Sequence, residues 1–302
     1  MILYSKQGNL LQIAKENAFK LEKEIQTLFE DNLAIIMGLQ LVKSECVIKN
    51  KRIDTLAFDA DANAFAIIEY KRDKNHSVVD QGVSYLNLML DYKADFIIEY
   101  NENLKKSLKR DDVDWSQTRV IFVSTSFTDN QKQATNFRDL AIELWEIKKY
   151  DNGAVIINSI KKSAAAPSIK QIATQSEALQ QVTREIKVYT EEDHTNGKSD
   201  EVKELYESFK NAILNLSDNI EVVPKKTYIA FKIKSNIVDI EIQASSLKLW
   251  INLRKGQLND SLNIMRDVSA LKGHNGNGDY EIIVRDTTKL EYIMSLIKQA
   301  IL

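Results

Sequence analysis

The sequence predicts an α/β first domain, built as a mixed sheet flanked by helices, followed by a small α+β domain. Three observations predict it. Strand-like and helical runs alternate from about residue 45 to residue 157. A small and polar stretch around Pro167, one of only two prolines in the chain, interrupts that alternation. Beyond it, four strand-like runs lie between two amphipathic helices. The expected boundaries are 1–162 for the first domain, 163–200 for a partly helical linker, and 201–302 for the second domain.

Taken in order, residues 10–37 read as one long amphipathic helix broken near Asp31-Asn32, with Ala14, Ala18, Leu21, Ile25 and Leu28 on its apolar stripe. Strand-like runs follow at 45–48, 52–59 and 64–71, and the turn residues Asp61–Asn63 make the last two a hairpin. Ser77-x-x-Asp80 has the form of a capping box and opens a helix over 77–91. Strands are expected at 96–100, 119–124, 142–147 and 155–157, with helical pieces near 102–109 and 130–137. In the second domain a helix over 201–216 precedes strands at 226–235, 237–243 and 246–253. A helical piece near 261–265, a glycine-rich loop over 273–278, a strand at 280–285 and a helix from about 288 to 302 complete the reading.

Composition excludes several classes of function. The chain has 302 residues, 44% hydrophobic and 28% charged, with a formal net charge of −2, so it is not a protein basic throughout. Nucleic-acid binding would instead rest on local patches such as Lys71, Arg72 and Lys74, or Lys105, Lys106, Lys109 and Arg110. Any one such cluster is more often a solvated surface. Cys46 is the single cysteine and the three histidines are scattered, which argues against a disulfide and against a Cys- or His-based zinc site. The opening residues have no signal-peptide character, and the most apolar stretch, 33–42, is too short to span a bilayer. A reducing, cytoplasmic home without membrane association is expected.

The residues that carry chemistry lie between 52 and 85. Asp54 is followed fifteen positions later by Glu69, and Lys71 lies two beyond it. Side chains two apart on a strand share a face, so Glu69 and Lys71 project together, while Asp54 on the preceding strand reaches the same end of the sheet. Two carboxylates at close range suit a hard divalent cation such as Mg²⁺, with Mn²⁺ as a substitute, and the Tyr70 carbonyl can add a further oxygen. Gln81 and Tyr85 are four apart and share a face of the next helix. Gly82 between them costs on the order of 1 kcal/mol in a helix relative to Ala, which implies close approach to the sheet or to a nucleic-acid backbone. An isolated Asp-x14-Glu-x-Lys is common by chance, and an acid beside a lysine is usually a surface salt bridge. The hairpin placement, the apolar flanks and the Gln-x3-Tyr helix raise it above that background.

The segments Arg-Ile-Asp-Thr-Leu-Ala-Phe-Asp (52–59), Ala-Ile-Ile-Glu-Tyr-Lys-Arg (66–72) and Gln-Gly-Val-Ser-Tyr (81–85) resemble the PD-(D/E)XK nuclease superfamily. The branch they are most similar to is that of the NucS-type endonucleases, whose fold is shared with the tRNA-splicing endonuclease catalytic domain. The resemblance implies a restriction-endonuclease-like fold and Mg²⁺-dependent hydrolysis of DNA. It also implies metal binding by Asp54 and Glu69, a catalytic Lys71, and a site lined by Gln81 and Tyr85. That family places a Glu on the first helix in a Glu-x3-Gln context, which here falls on Glu22 and Gln26; Glu24 and Glu45 stay open as alternatives. The proline of the superfamily's name is absent, since Ile53 precedes Asp54.

The C-terminal segments around 226–232, 247–251, 266–269 and 278–281 resemble a family of small C-terminal domains with no established function. Tyr228, Phe231 and Trp250 there read as core residues more readily than as base-stacking platforms, and the glycine-rich loop lacks the Gly-Lys-Ser/Thr ending of a phosphate-binding loop. The expected function is therefore a DNA endonuclease; a symmetric pair of sites would imply a homodimer, but no segment reads clearly as an interface. A non-catalytic nucleic-acid-binding or scaffold protein on the same fold is the alternative. Metal-independent RNA cleavage would need a histidine base, for which His76 is the one nearby.

Overall fold

The computed structural model describes residues 2–72, 77–163, 165–173, 176–271 and 276–301. Lys74, His76 and the first half of the glycine-rich loop, 273–275, lie outside them. The chain divides into two compact units, Met1–Val188 and Tyr189–Leu302. The segment expected as a linker is thus shared between them: Ala166, Ile169, Val182 and Ile186 are buried within the first unit.

The first unit opens with a two-stranded ribbon, β1 (Tyr4–Gln7) and β2 (Leu10–Ile13), and a short β3 (Glu16–Asn17). The long helix expected from residue 10 is therefore shorter: α1 spans Glu22–Met37 and runs through Asp31-Asn32 without a break. The physical reason lies at Gly8, whose φ of 61° closes a two-residue turn between paired strands. Ile25, Phe29 and Leu33 form the buried stripe of α1, and Gly38 ends it in the left-handed conformation.

Next come β4 (Gln40–Ile48), β5 (Lys51–Asp59), β6 (Ala64–Lys71), α2 (Val78–Asp91) and α3 (Lys93–Leu104). The strand expected at 96–100 is thus helical. Phe96 and Tyr100, four apart, both pack edge-on or tilted against Phe65, so helical spacing and tertiary contact override the β propensity of Phe-Ile-Ile. Then follow β7 (Arg119–Ser124), α4 (Asp129–Thr135), β8 (Ile142–Tyr150), β9 (Val155–Ser159), α5 (Lys170–Ala173) and α6 (Glu177–Glu185).

Among the described residues these strands make a seven-stranded mixed sheet in the order β3-β8-β7-β6-β5-β4, with β9 also on β8. The β4–β5 and β5–β6 pairs are antiparallel, while β6–β7 and β7–β8 are parallel. Each face of the sheet has its own core. Ala57, Ile68, Tyr70 and Val123 pack beneath α1, and Leu56, Phe65, Ile67 and Phe122 pack beneath α2 and α3.

The second unit contains α7 (Glu191–Thr195), α8 (Asp200–Leu214), β10 (Glu221–Pro224), β11 (Ile229–Lys232), β12 (Asn236–Ile242), β13 (Leu247–Ile251), β14 (Arg266–Asp267), β15 (Tyr280–Val284) and α9 (Leu290–Lys298). Its six-stranded sheet, ordered β10-β11-β12-β13-β15-β14, shares a core with α8 and α9. Tyr228, Phe231 and Trp250 are buried there. Residues 261–265 are a loop rather than a helix, because Asp260 accepts from the Met265 amide and from the Tyr292 hydroxyl.

Gly82 sets the height of α2 above the sheet. A Cβ at this position would overlap Ile142 Cδ1 and come 3.3 Å from Phe122 Cε2. Gly82→Ala is therefore expected to lose more in overpacking than the roughly 1 kcal/mol it gains in helix propensity, for a net cost of up to about 2 kcal/mol in urea unfolding. Combining it with Ile142→Val, which removes the Cδ1 atom, is expected to recover most of that loss.

Candidate active site

The site forms where two neighbouring strands stop pairing. The β5–β6 ladder runs from Asp59↔Ala64 to Thr55↔Ile68 and ends there. Both strands nevertheless continue, β5 on β4 to Lys51 and β6 on β7 to Lys71. At the point of parting, side chains take over from the ladder. The Asp54 amide donates to Glu69 Oε1 at 3.2 Å, and the Tyr70 amide donates to Asp54 Oδ2 at 3.0 Å. Each acid therefore accepts from the other strand's backbone, and the two carboxylates lie side by side on the α2 face.

Lys71 and α2 supply the next contacts. Lys71 Nζ lies 3.2 Å from Glu69 Oε2, and both side chains are largely buried. Gln81 Nε2 donates to the same Glu69 oxygen at 3.0 Å and to the Tyr85 hydroxyl at 3.2 Å. Tyr85 in turn donates to the Arg52 carbonyl at 3.0 Å. Ser77 caps this helix by accepting from the Asp80 amide. The structure thus brings together Asp54, Glu69, Lys71, Gln81 and Tyr85.

Glu22 stands at the same end of the sheet, where its Oε1 accepts from the Arg72 amide at 2.9 Å. Glu24 points instead to Lys149 Nζ at 3.1 Å, and Glu45 is held between Lys23 and Arg52. Of the three acids considered, Glu22 is the one bonded to the backbone just beyond β6. Its helical neighbours extend the row. Gln26 Nε2 donates to the Asp54 carbonyl at 2.9 Å, to Ser44 Oγ at 3.2 Å and to Glu30 Oε1 at 2.9 Å. Glu30 also accepts from Thr55 Oγ1, which lies 3.3 Å from the Tyr70 hydroxyl. Sequence reading missed Glu30 and Thr55. The signal for Glu30 was the i, i+4 spacing of Glu22, Gln26 and Glu30 on one helix face.

The electrostatics follow from this geometry. Burial, together with the Glu69 carboxylate, pushes the Asp54 carboxyl up to about 6, against the opposing pull of the Tyr70 amide and Lys71. Burial also raises the Tyr85 hydroxyl well above its ordinary range, so it acts as a neutral hydrogen-bonding group. The protein oxygens that converge here and could hold a cation are those of the two carboxylates. Among the described residues no group of three or more His, Cys, Asp or Glu side chains is placed to hold a metal ion.

A native carboxyl that titrates near 6 binds its proton more tightly than the unfolded chain does, where its ordinary value is 3.8. Stability from this group is thus present at low pH and is lost as pH rises through about 6. Asp54→Asn keeps an acceptor for the Tyr70 amide and removes the charge. In metal-free buffer it is expected to stabilise the protein by about 1–2 kcal/mol at neutral pH, allowing for partial exposure. The gain should shrink toward zero at acid pH in paired urea titrations; an equal gain at both pH values would contradict the charge argument.

Comparison with known proteins gives three findings. Residues 191–301 match the model of a domain of unknown function, DUF5655. Partial likenesses exist to a repair endonuclease from Pyrococcus abyssi (18% identity, TM-score 0.22) and to EndoMS in its apo form (17% identity, TM-score 0.26). Each covers 44% of this chain, and the matched region spans 60% and 58% of those chains respectively. An uncharacterized protein of Haemophilus influenzae is 58% identical over 300 residues, covering 99% of both chains. On that identity and coverage, the chain belongs to the same family as the Haemophilus influenzae protein.

Proposed function

We propose that the first unit is a nuclease that hydrolyses phosphodiester bonds in DNA with the help of Mg²⁺ or Mn²⁺. The observation that carries this reading is the pair Asp54 and Glu69, set side by side where β5 and β6 part, with Lys71 on the same face. Two oxygen-donor residues fit a hard cation that retains waters, and they lack the nitrogen and sulfur ligands of a structural zinc site. When bound, such a cation polarises the scissile phosphate and lowers the pKa of the attacking water.

The chain's own residues do the rest. The Tyr70 and Asp54 amides fix the two carboxylates, so they need no reorganisation when substrate arrives. Gln81 orients Glu69 through Oε2, and Tyr85 ties that amide to the backbone of β5. The Lys71 ammonium can turn from Glu69 to a phosphate oxygen and stabilise the negative charge that develops as water attacks phosphorus. In hydrolysis the new P–O bond comes from water, the bond to the departing sugar oxygen breaks, and that oxygen takes up a proton. Glu22, bonded to the amide that follows Lys71, completes the acidic rim of the site. No helix among the described residues is long and apolar enough to cross a membrane.

The test uses single-stranded, duplex, branched and mismatched DNA with Mg²⁺ or Mn²⁺. Wild-type protein is expected to cut at least one form, and Glu69→Ala or Lys71→Ala to slow cutting by about 10²–10³-fold or more. The reading would be falsified if wild type and Glu69→Ala behaved identically on every substrate. Salt-dependent DNA binding that no substitution at Asp54 or Glu69 alters, without cleavage, would favour a non-catalytic binding protein on this fold.

A further inference from the structure

A cleft bordered by cations opens at the same end of the sheet as the paired acids. The parallel ladders set Lys71 beside Ser124 and Ser124 beside Glu146, so the ends of β6 and β7 and the matching point of β8 form one row. Just beyond that row, Arg72, Thr125, Lys148 and Lys149 border a cleft of about 320 Å³, with Phe19 and Ile147 as its apolar wall. Neighbouring strands are about 4.8 Å apart, so the cleft begins within about 10 Å of Lys71. Phe19 and Ile147 belong to the core beneath α1, which places the cleft on that face of the sheet. Lys71 bonds Glu69 on the α2 face, so the two positions are separated only by the open end of the sheet. β8 continues past the row to Tyr150 and pairs there with β3, which closes the far side.

We propose that this cleft holds a second phosphate of the DNA strand, one or two nucleotides from the phosphate that is cut, and that the strand crosses the sheet end over β7 to reach it. Arg72 Nη1 donates to the Lys20 carbonyl at 2.8 Å and the Arg72 amide donates to Glu22, so the guanidinium is held beside the chain that enters α1. A guanidinium matches phosphate oxygens with paired donors, and a lysine adds a point charge. Lys148 pairs with Glu16 at 2.9 Å; Lys149 pairs with Glu24 at 3.1 Å and lies over the Phe19 ring. These pairs keep contact with solvent, and ion pairs of that kind are weak enough to open for an anion. Arg72, Lys148 and Lys149 against Glu16 and Glu24 leave one positive charge in excess. The volume is at the small end of ligand-enclosing sites, which suits one sugar and its phosphate. This placement rests on the nuclease reading for the position of the scissile phosphate, and binding tests it without any cleavage.

Fluorescence anisotropy of labelled single-stranded and duplex oligonucleotides, in buffer without divalent ions, reads binding of the full chain alone. Combining Arg72→Gln with Lys148→Gln is expected to weaken binding about tenfold and to lower the slope of log affinity against log salt by about 2. Lys148→Gln alone should lower the slope by about 1, and Lys148→Arg should restore it. The Lys148 side chain reaches solvent, so this single variant decides the matter should the double variant fail to fold. Lys106→Gln is the control: Lys106 bonds Gln40, which pairs with Phe58 at the other end of the sheet, and its slope should match wild type. A wild-type slope in Lys148→Gln, or an equal loss in Lys106→Gln, would overturn the proposal. So would calorimetric binding of inorganic phosphate that the double variant abolishes while its oligonucleotide affinity stays at the wild-type level. Cleavage of DNA with an unaltered slope would remove the cleft and leave the nuclease reading standing. An altered slope in a protein that cuts no substrate would keep the phosphate cleft and remove the nuclease reading.

Discussion

The site depends on one local event, the end of the β5–β6 ladder after Thr55 and Ile68. Two strands that part leave backbone amides without ladder carbonyls, and a buried amide without a partner is costly. Here the Asp54 and Tyr70 amides take carboxylate oxygens from the opposite strand. The two acids are therefore fixed by the same bonds that close the sheet's open end. This also explains why like charges remain together: each carboxylate gains a backbone donor where it stands. The cost is visible in the raised Asp54 carboxyl.

Helices on both faces hold the parted strands in place. Beneath α1, Gln26 and Glu30 bond to the Asp54 carbonyl and the Thr55 hydroxyl, so the main chain at Asp54 is clamped from the side opposite its carboxylate. From the other side, Gly82 lets α2 settle onto Ile142 and Phe122, which brings Gln81 within hydrogen-bond reach of Glu69. A side chain at position 82 would lift the helix, and the contact from Gln81 to Glu69 would lengthen with it. Placing polar groups on packed helices and strands rather than on loops limits their freedom and favours a preorganised site.

Much of this was legible in the sequence where the signals were local. The bounds of β6 and β7 follow from their apolar runs, and the start of α2 follows from Ser77 and Asp80. Strand parity places Glu69 with Lys71, and helical spacing places Gln81 with Tyr85. The first helix was read twelve residues too long, from 10 rather than 22, because Ala14 and Ala18 fit helical spacing while the turn at Gly8-Asn9 went unread. At 96–100 the β-branched and aromatic residues suggested a strand, and only packing against Phe65 shows why they are helical. The clamp from Glu30 to Thr55 could not be read, since it depends on how α1 lies across β5.

Buried acids elsewhere in the chain show what distinguishes this pair. In the second unit Asp239 is fully buried and accepts from Asn236 Nδ2 and from the Asn277 amide, which fastens residue 277 to β12. Glu281 accepts from Trp250 Nε1 and pairs at longer range with Lys248 and Arg266. Each of these carboxylates closes a structural contact on its own. Burial of an acid is thus no mark of chemistry by itself. At Asp54 and Glu69 the distinguishing feature is that parting strands force two carboxylates together, so that a charge imbalance remains that Lys71 alone does not cancel. A bound cation would relieve that imbalance, and a phosphate would then find both a cation and an ammonium beside it.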